Sequence, residues 1–202
     1  MTPIVCVLRS GGSYGPQHVQ WLQAQRPGLW LTCLSDVDVP GVRTVPLRHG
    51  WPGWWSKIEV FGSAISGDLL YLDLDSVITG PLEPLLTASE TTLCSDFLRP
   101  RYANSSVMYV AQKDKATVYE RFLESPDAHM NHYRKWPAQW GDQGFIADSL
   151  PGAARWPQGL VRSYRAECTQ GVPDGTRVVT FHGVPKPWAC KADWIPPMKV
   201  AA

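Results

Sequence analysis

The chain has 202 residues, 44% of them apolar and 18% charged, and a formal net charge of +1. That length suits one domain, 1–202, with a substantial core, and the composition excludes a disordered or collagen-like chain. The near-neutral balance excludes a global field that would draw the molecule onto nucleic acid or an anionic membrane; a local basic patch is still compatible with it.

In chain order, Ile4–Leu8 is an apolar run that opens into Arg9-Ser10-Gly11-Gly12, the pattern of a buried strand feeding a glycine-rich loop. A helix is predicted over Pro16–Gln25 with Val19, Leu22 and Trp21 inward. Leu29–Leu34, closed by Ser35-Asp36, and the weaker Val42–Leu47 read as strands, and this β-α-β order predicts a parallel sheet covered by helices. Trp51-Pro52-Gly53 is a turn, and a helix carrying Lys57 is predicted over Trp54–Ser63. Residues 69–72 form a buried strand ending in Asp73-Leu74-Asp75. Strands follow at Thr92–Ser95 and Ser106–Ala111, separated by the loop 96–105. Helices are predicted over Lys113–Glu124 and Gly141–Leu150. A last strand, Val178–Phe181, runs into His182-Gly183-Val184-Pro185-Lys186-Pro187-Trp188.

The five cysteines include no C-x-x-C pair. Cys6, Cys33 and Cys94 lie in apolar runs, so buried free thiols in a reducing compartment are expected. The start MTPIVCVLRSGG lacks the apolar run and flanks of a signal peptide. No stretch reaches the roughly 18 apolar residues of a membrane span. A cytoplasmic protein is expected.

The chemistry concentrates at Asp73 and Asp75. Side chains two apart in an extended chain point the same way, so both carboxylates can face one point. At the end of a parallel strand that point is the crevice where open α/β sheets bind ligands. Two hard oxygens from the protein, with the rest from water and phosphate, is a usual way to hold Mg²⁺ or Mn²⁺. His182, at the end of another strand, is a candidate third ligand. Gly183 lets backbone approach a ligand, and two prolines stiffen the loop around Lys186, which would face a phosphate. Read singly, the same residues are a strand-capping histidine and a solvated lysine.

Together these segments resemble the GT-A glycosyltransferases, most closely the family 8 group of glycogenin and the bacterial lipopolysaccharide galactosyltransferases, with small relatives in bacteria and phages. The resemblance rests on VCVLRSGG at 5–12, WWSKIEVF at 54–61, YLDLDSV at 71–77, NSSVMYV at 104–110, GDQGFI at 141–146 and FHGVPKPW at 181–188. It implies a single α/β domain of Rossmann-like GT-A type, with a mostly parallel sheet flanked by helices. It further implies that Asp73, Asp75 and His182 bind Mn²⁺ or Mg²⁺ bridging the diphosphate of a nucleotide-sugar donor, a UDP-sugar first. Lys186 and the backbone of Gly183 would contact that diphosphate, and Lys57 would reach the donor. Asn104 would lie beside the donor sugar, Asp142 and Gln143 near the anomeric carbon, and Ser10, Tyr14 and Asp36 around the nucleoside. Retention of configuration is implied, in a bacterial or phage-infected cytoplasm. Three features depart from the family pattern: His182 is adjacent to Gly183 rather than three residues before it, N-S-S stands for N-A-G, and no helical extension follows K-P-W.

An inverting enzyme would instead need a carboxylate base, for which Asp96 is the candidate; it would otherwise bind sugar hydroxyls. The chain has ten tryptophans. The Trp-rich segments at 51–55, 135–136 and 140 are candidates for an acceptor platform or for core. His129, His132, Arg134, Lys135, Arg99 and Arg101 could form a basic rim. A nucleic-acid acceptor, such as a hydroxymethylated pyrimidine in DNA, would suit that rim, with saccharide or protein as the other classes. The rival readings are a Mg²⁺-dependent nucleotidyltransferase and an inactive nucleotide-sugar binding module. The chain lacks the phosphate loop and second acidic cluster that a nucleotidyltransferase would use.

Overall fold

The structure, a computed structural model, describes residues 2–134 and 140–198. In chain order its first half holds β1 (Ile4–Leu8), α1 (Pro16–Ala24), β2 (Leu31–Ser35), β3 (Arg43–Pro46), a 3-10 helix (Gly53–Phe61), β4 (Leu69–Leu72), β5 (Ser76–Ile78) and α2 (Glu83–Leu86). There follow β6 (Thr92–Ser95), β7 (Ala103–Val110), α3 (Gln112–Glu124), α4 (Pro126–His132) and α5 (Gly141–Ser149). The last elements are β8 (Ala154–Arg155), β9 (Val161–Ser163), α6 (Tyr164–Glu167) and β10 (Val178–Thr180).

The main sheet has the order β3-β2-β1-β4-β7-β6-β8, and only β7 runs against its neighbours. This is the expected mostly parallel sheet, and its topology fixes where a site can form. The carboxyl ends of β1, β2 and β4 share one edge, and because β7 is reversed its first residues, Ala103 to Ser105, arrive at that same edge. Crevices of open α/β sheets bind ligands there. A small second sheet, β5-β10-β9, returns the 178–188 segment to that edge.

Both faces of the main sheet are covered, which requires strands without a polar side. In β1, Cys6 and Leu8 pack into one apolar cluster with Val19 and Leu22 of α1, while Val5 and Val7 pack into the other with Ile58, Phe122 and Phe145. Fully burying such a side chain contributes roughly 1.5–3 kcal/mol. Cys6, Cys33, Cys94 and Cys168 are buried free thiols, as expected for the first three. No helix among the described residues is long and apolar enough to cross a membrane.

The predicted helix over 54–63 is a 3-10 helix instead. Every residue from Trp55 to Phe61 is buried, so the segment has no solvent face of the kind that an amphipathic α-helix presents. β7 starts at Ala103 rather than Ser106, which carries Asn104 and Ser105 into the sheet. The short elements β5, β8, β9, α4 and α6 escaped the sequence reading because they are too brief to show a period.

Candidate active site

β4 leaves the sheet through a tight turn in which the Ser76 N–H donates to the Asp73 carbonyl at 3.1 Å. Asp73 and Asp75 therefore straddle a turn, whereas the sequence suggested extended chain. The carboxylates still sense each other: burial first, and then the charge of Asp73, raise Asp75 above the ordinary carboxylate range against the pull of Lys186. Each is held on one oxygen. Asp73 Oδ1 accepts the Tyr71 hydroxyl at 2.7 Å and faces Lys57 Nζ at 3.0 Å. Asp75 Oδ2 accepts the Tyr14 hydroxyl at 2.8 Å and the Lys186 ammonium, which also donates to the Tyr14 oxygen at 2.7 Å.

Lys57 is 5% exposed and joins three elements. Its Nζ lies 3.0 Å from Asp142 Oδ2 and donates to Ser105 Oγ at 3.0 Å, while Ser105 donates to Asp142 at 2.6 Å. Burial would lower the Lys57 pKa, but Asp142 and then Asp73 outweigh it and hold the ammonium charged. Gly141 and Asp142 open α5, whose N-terminal dipole favours an acid in its first turn. Asn104 Nδ2 donates to Gln143 Oε1 at 3.2 Å, and its own carbonyl is fixed by the Ser106 N–H at 2.9 Å. Lys57, Asp73, Asn104, Asp142, Gln143 and His182 thus line one pocket of about 180 Å³.

The nucleoside candidates lie further along the edge. Ser10 gives its N–H and hydroxyl to Asp36 at 2.8 and 2.7 Å, with Arg9 at 3.4 Å. Burial would raise the Asp36 carboxyl, but the Ser10 bonds hold it below its usual value. Gly183 has a φ of +80°, a left-handed conformation that favours glycine, and turns the chain toward Lys186. Trp188 anchors that loop on His18 and Tyr14, with ring centroids at 4.3 and 6.0 Å.

Two candidates make contacts that the sequence did not suggest. His182 Nε2 is 2.6 Å from Ser163 Oγ and its ring stacks on Phe97, and burial lowers its pKa. Among the described residues no three His, Cys, Asp or Glu side chains stand close enough to form a ligand group. Asp96 uses Oδ1 to accept the Leu98 and Arg99 N–H groups at 3.0 and 2.8 Å, which fixes its loop. It lines a separate cavity of about 340 Å³ with Phe97, Trp156 and Glu167.

The described tryptophans of these segments divide between core and surface. Trp51 and Trp55 are buried core, whereas Trp54 and Trp140 are 53% and 47% exposed. The exposed pair frames a cavity of about 560 Å³. Of the basic residues, Arg134 lines that cavity, and Arg99 and Arg101 lie over the Tyr102 ring. His129 turns inward to the Arg121 carbonyl. Lys135 and Trp136 lie outside the described residues. The sequence reading missed Ser105, Tyr71 and Ser163. Each is a hydroxyl whose partner is far along the chain or hidden by strand alternation, so no local pattern announces it.

No protein-family model and no curated protein sequence matches the chain. Solved structures do. The glycosyltransferase GlyE of Streptococcus pneumoniae TIGR4 superposes with a TM-score of 0.69 at 11% identity, over 93% of this chain and 57% of that one. The galactosyltransferase LgtC, in complex with donor and acceptor sugar analogues, gives 0.62 at 15% identity, over 93% of this chain and 89% of LgtC. The bifunctional glycosyltransferase WbbM gives 0.59 at 10% identity, over 93% of this chain and 46% of that one. The chain spans little more than half of GlyE and most of LgtC. Its fold is the GT-A fold of these glycosyltransferases.

Proposed function

We propose that the chain is a metal-dependent glycosyltransferase that moves a sugar from a nucleotide-diphosphate donor, a UDP-sugar first, to an acceptor hydroxyl. The carrying observation is the pocket where Lys57 ties Asp73 to Asp142 beside Asn104 and Gln143, at the ligand-binding edge of a GT-A sheet. The residues fit a divalent ion. Asp73 and Asp75 are neighbouring like charges, and their protein partners leave one oxygen of each turned elsewhere. Mn²⁺ or Mg²⁺ held by them would act as a Lewis acid for charge growing on a diphosphate. His182 would join only by turning from Ser163.

Lys186, on the same edge, supplies a second positive charge for the leaving diphosphate. Lys57 holds Asp142 and its neighbour Gln143 in register with the sugar. Transfer forms a bond from the acceptor oxygen to the anomeric carbon and breaks that carbon's bond to the diphosphate oxygen. The hydroxyl proton leaves with the departing diphosphate. Retention is favoured because Asp96, the candidate base for inversion, is committed to its own loop and faces another cavity.

Donor hydrolysis tests the reading. With Mn²⁺ the protein should slowly release free sugar and UDP from UDP-glucose or UDP-galactose, and Lys186→Ala should lower that rate more than it lowers donor affinity. Pyrophosphate released from a nucleoside triphosphate, or no turnover of any nucleotide sugar, would overturn it.

A further inference from the structure

None of Lys57, Asp73, Asn104, Asp142 and Gln143 lines the cavity of about 560 Å³ framed by Trp54 and Trp140. Its size falls within the roughly 300–1,000 Å³ of small-molecule sites. It adjoins the smaller pocket, with which it shares Trp54, Trp140 and Gly141 as lining. A molecule seated in it would lie beside the Asp142–Gln143 end of the pocket assigned to the donor.

Its walls state what it takes. The indole rings of Trp54 and Trp140 stand 5.6 Å apart at 58°, a V-shaped aromatic corner with half of each ring in solvent. Exposed indoles are costly unless something covers them, and their electron-rich faces attract the polarised C–H groups of a sugar ring. Asp127, Asn131 and Arg134, from α4 and the turn after it, line the same cavity. These groups accept and donate hydrogen bonds, the combination that matches vicinal hydroxyls. Their formal charges cancel. A polyanion would meet the Asp127 carboxylate, and Arg99 and Arg101 lie over Tyr102 instead of in this lining. A neutral polyol fits better than a nucleic acid.

Resting on the glycosyl-transfer reading, we propose that this cavity is the acceptor subsite and that the acceptor is a neutral saccharide, one ring of which stacks in the Trp54–Trp140 corner.

The test reads binding of lactose, maltose and chitobiose, each at about 10 mM, ten times a millimolar Kd, by saturation-transfer NMR on the full chain. UDP binding with Mn²⁺ is measured alongside. The wild type should bind at least one of the sugars, Trp140→Ala should weaken that binding at least about tenfold, and Trp140→Phe should restore it to within about threefold. Rescue by a second flat ring separates stacking from a general packing role. Circular dichroism confirms that each variant is folded, and Arg134→Ala, in the same lining, repeats the measurement if Trp140→Ala is not. A wild type that binds UDP but none of the sugars, or that binds duplex DNA with a steep salt dependence and no sugar, overturns the acceptor assignment. So does a Trp140→Ala variant that binds as the wild type does. Failure to bind UDP would instead overturn the donor reading.

Discussion

Lys57 and Asp142 meet at 3.0 Å although both are almost wholly buried. The pair is saturated: the ammonium also faces Asp73 and Ser105, and Ser105 returns its proton to Asp142. One cation thereby sets the spacing between the end of β4, the start of β7 and the first turn of α5.

Removing that cation leaves two carboxylates uncompensated in a low-dielectric pocket. Lys57→Met should therefore destabilise the fold by about 3–5 kcal/mol. Combining it with Asp142→Asn should cost less than the sum of the two single changes, since the variants share one interaction. Urea unfolding of the four proteins decides this. A loss under about 0.5 kcal/mol in Lys57→Met, the range of an ordinary surface change, would show that water already screens the pair.

Much of this arrangement was legible beforehand. The strands around Val5, Cys33 and Leu70 announced themselves as apolar runs because both faces of the sheet are covered. Asp73 and Asp75 stood out because acids at the end of such a run need partners, which the structure supplies in Lys57 and Tyr71 for one and Lys186 and Tyr14 for the other. Neither the dependence of Asp142 on Ser105 nor the pairing of Lys57 with two acids could be read, because those contacts depend on the reversed strand β7, and strand direction leaves no trace in composition. The contacts of His182 were hidden for a related reason. Its position in the loop suggested a ligand, while its orientation is set by Phe97 and Ser163, which lie far away in the chain.

The acidic pair should govern metal binding. Free Mn²⁺ gives a sharp spin-resonance signal that shrinks when the ion is held by protein. With UDP present the wild type should reduce it, and Asp73→Asn or Asp75→Asn should weaken binding by more than about tenfold. An unchanged Mn²⁺ isotherm in Asp75→Asn would remove that residue from the ligand set.

Lys115 sets a pH dependence away from the site. Its Nζ donates to the Ile65 carbonyl at 2.6 Å, and burial lowers its pKa from 10.5 to about 8, with Asp68 opposing. The unfolded chain then binds the proton more tightly than the folded one. Below about pH 8 both states are protonated and the folded state carries the cost of a buried ammonium. That cost is relieved as pH rises from about 8 toward 10.5. Tyrosines and cysteines with raised pKa values work in the opposite direction at the upper end, so the useful quantity is the difference between wild type and Lys115→Met. The stability gap should narrow in the wild type's favour across that interval. A difference constant from pH 7 to 10, on the ordinary scale of lysine titration, would mean that Lys115 titrates as a solvated lysine does.

Gly141 lines both the proposed donor pocket and the tryptophan corner, and its substitution tests whether the two are mechanically linked. Its φ is +68°, and its N–H donates to the Tyr133 carbonyl at 2.8 Å, which fixes the entry to α5. A Cβ there would lie 2.9 Å from Trp54 Nε1 and 3.4 Å from two further ring atoms. Ala in this conformation costs about 1–2 kcal/mol before any clash. The clash is with a side chain that is half exposed, so the cheaper response is for the Trp54 ring to swing outward while the helix start stays in place. Gly141→Ala should thus lower stability by about 1–3 kcal/mol and shift the tryptophan emission to the red. It should weaken saccharide binding more than UDP binding, because only the corner is displaced. Unchanged emission together with a stability loss would show that the backbone of α5 yields instead, and UDP and saccharide binding would then fall together.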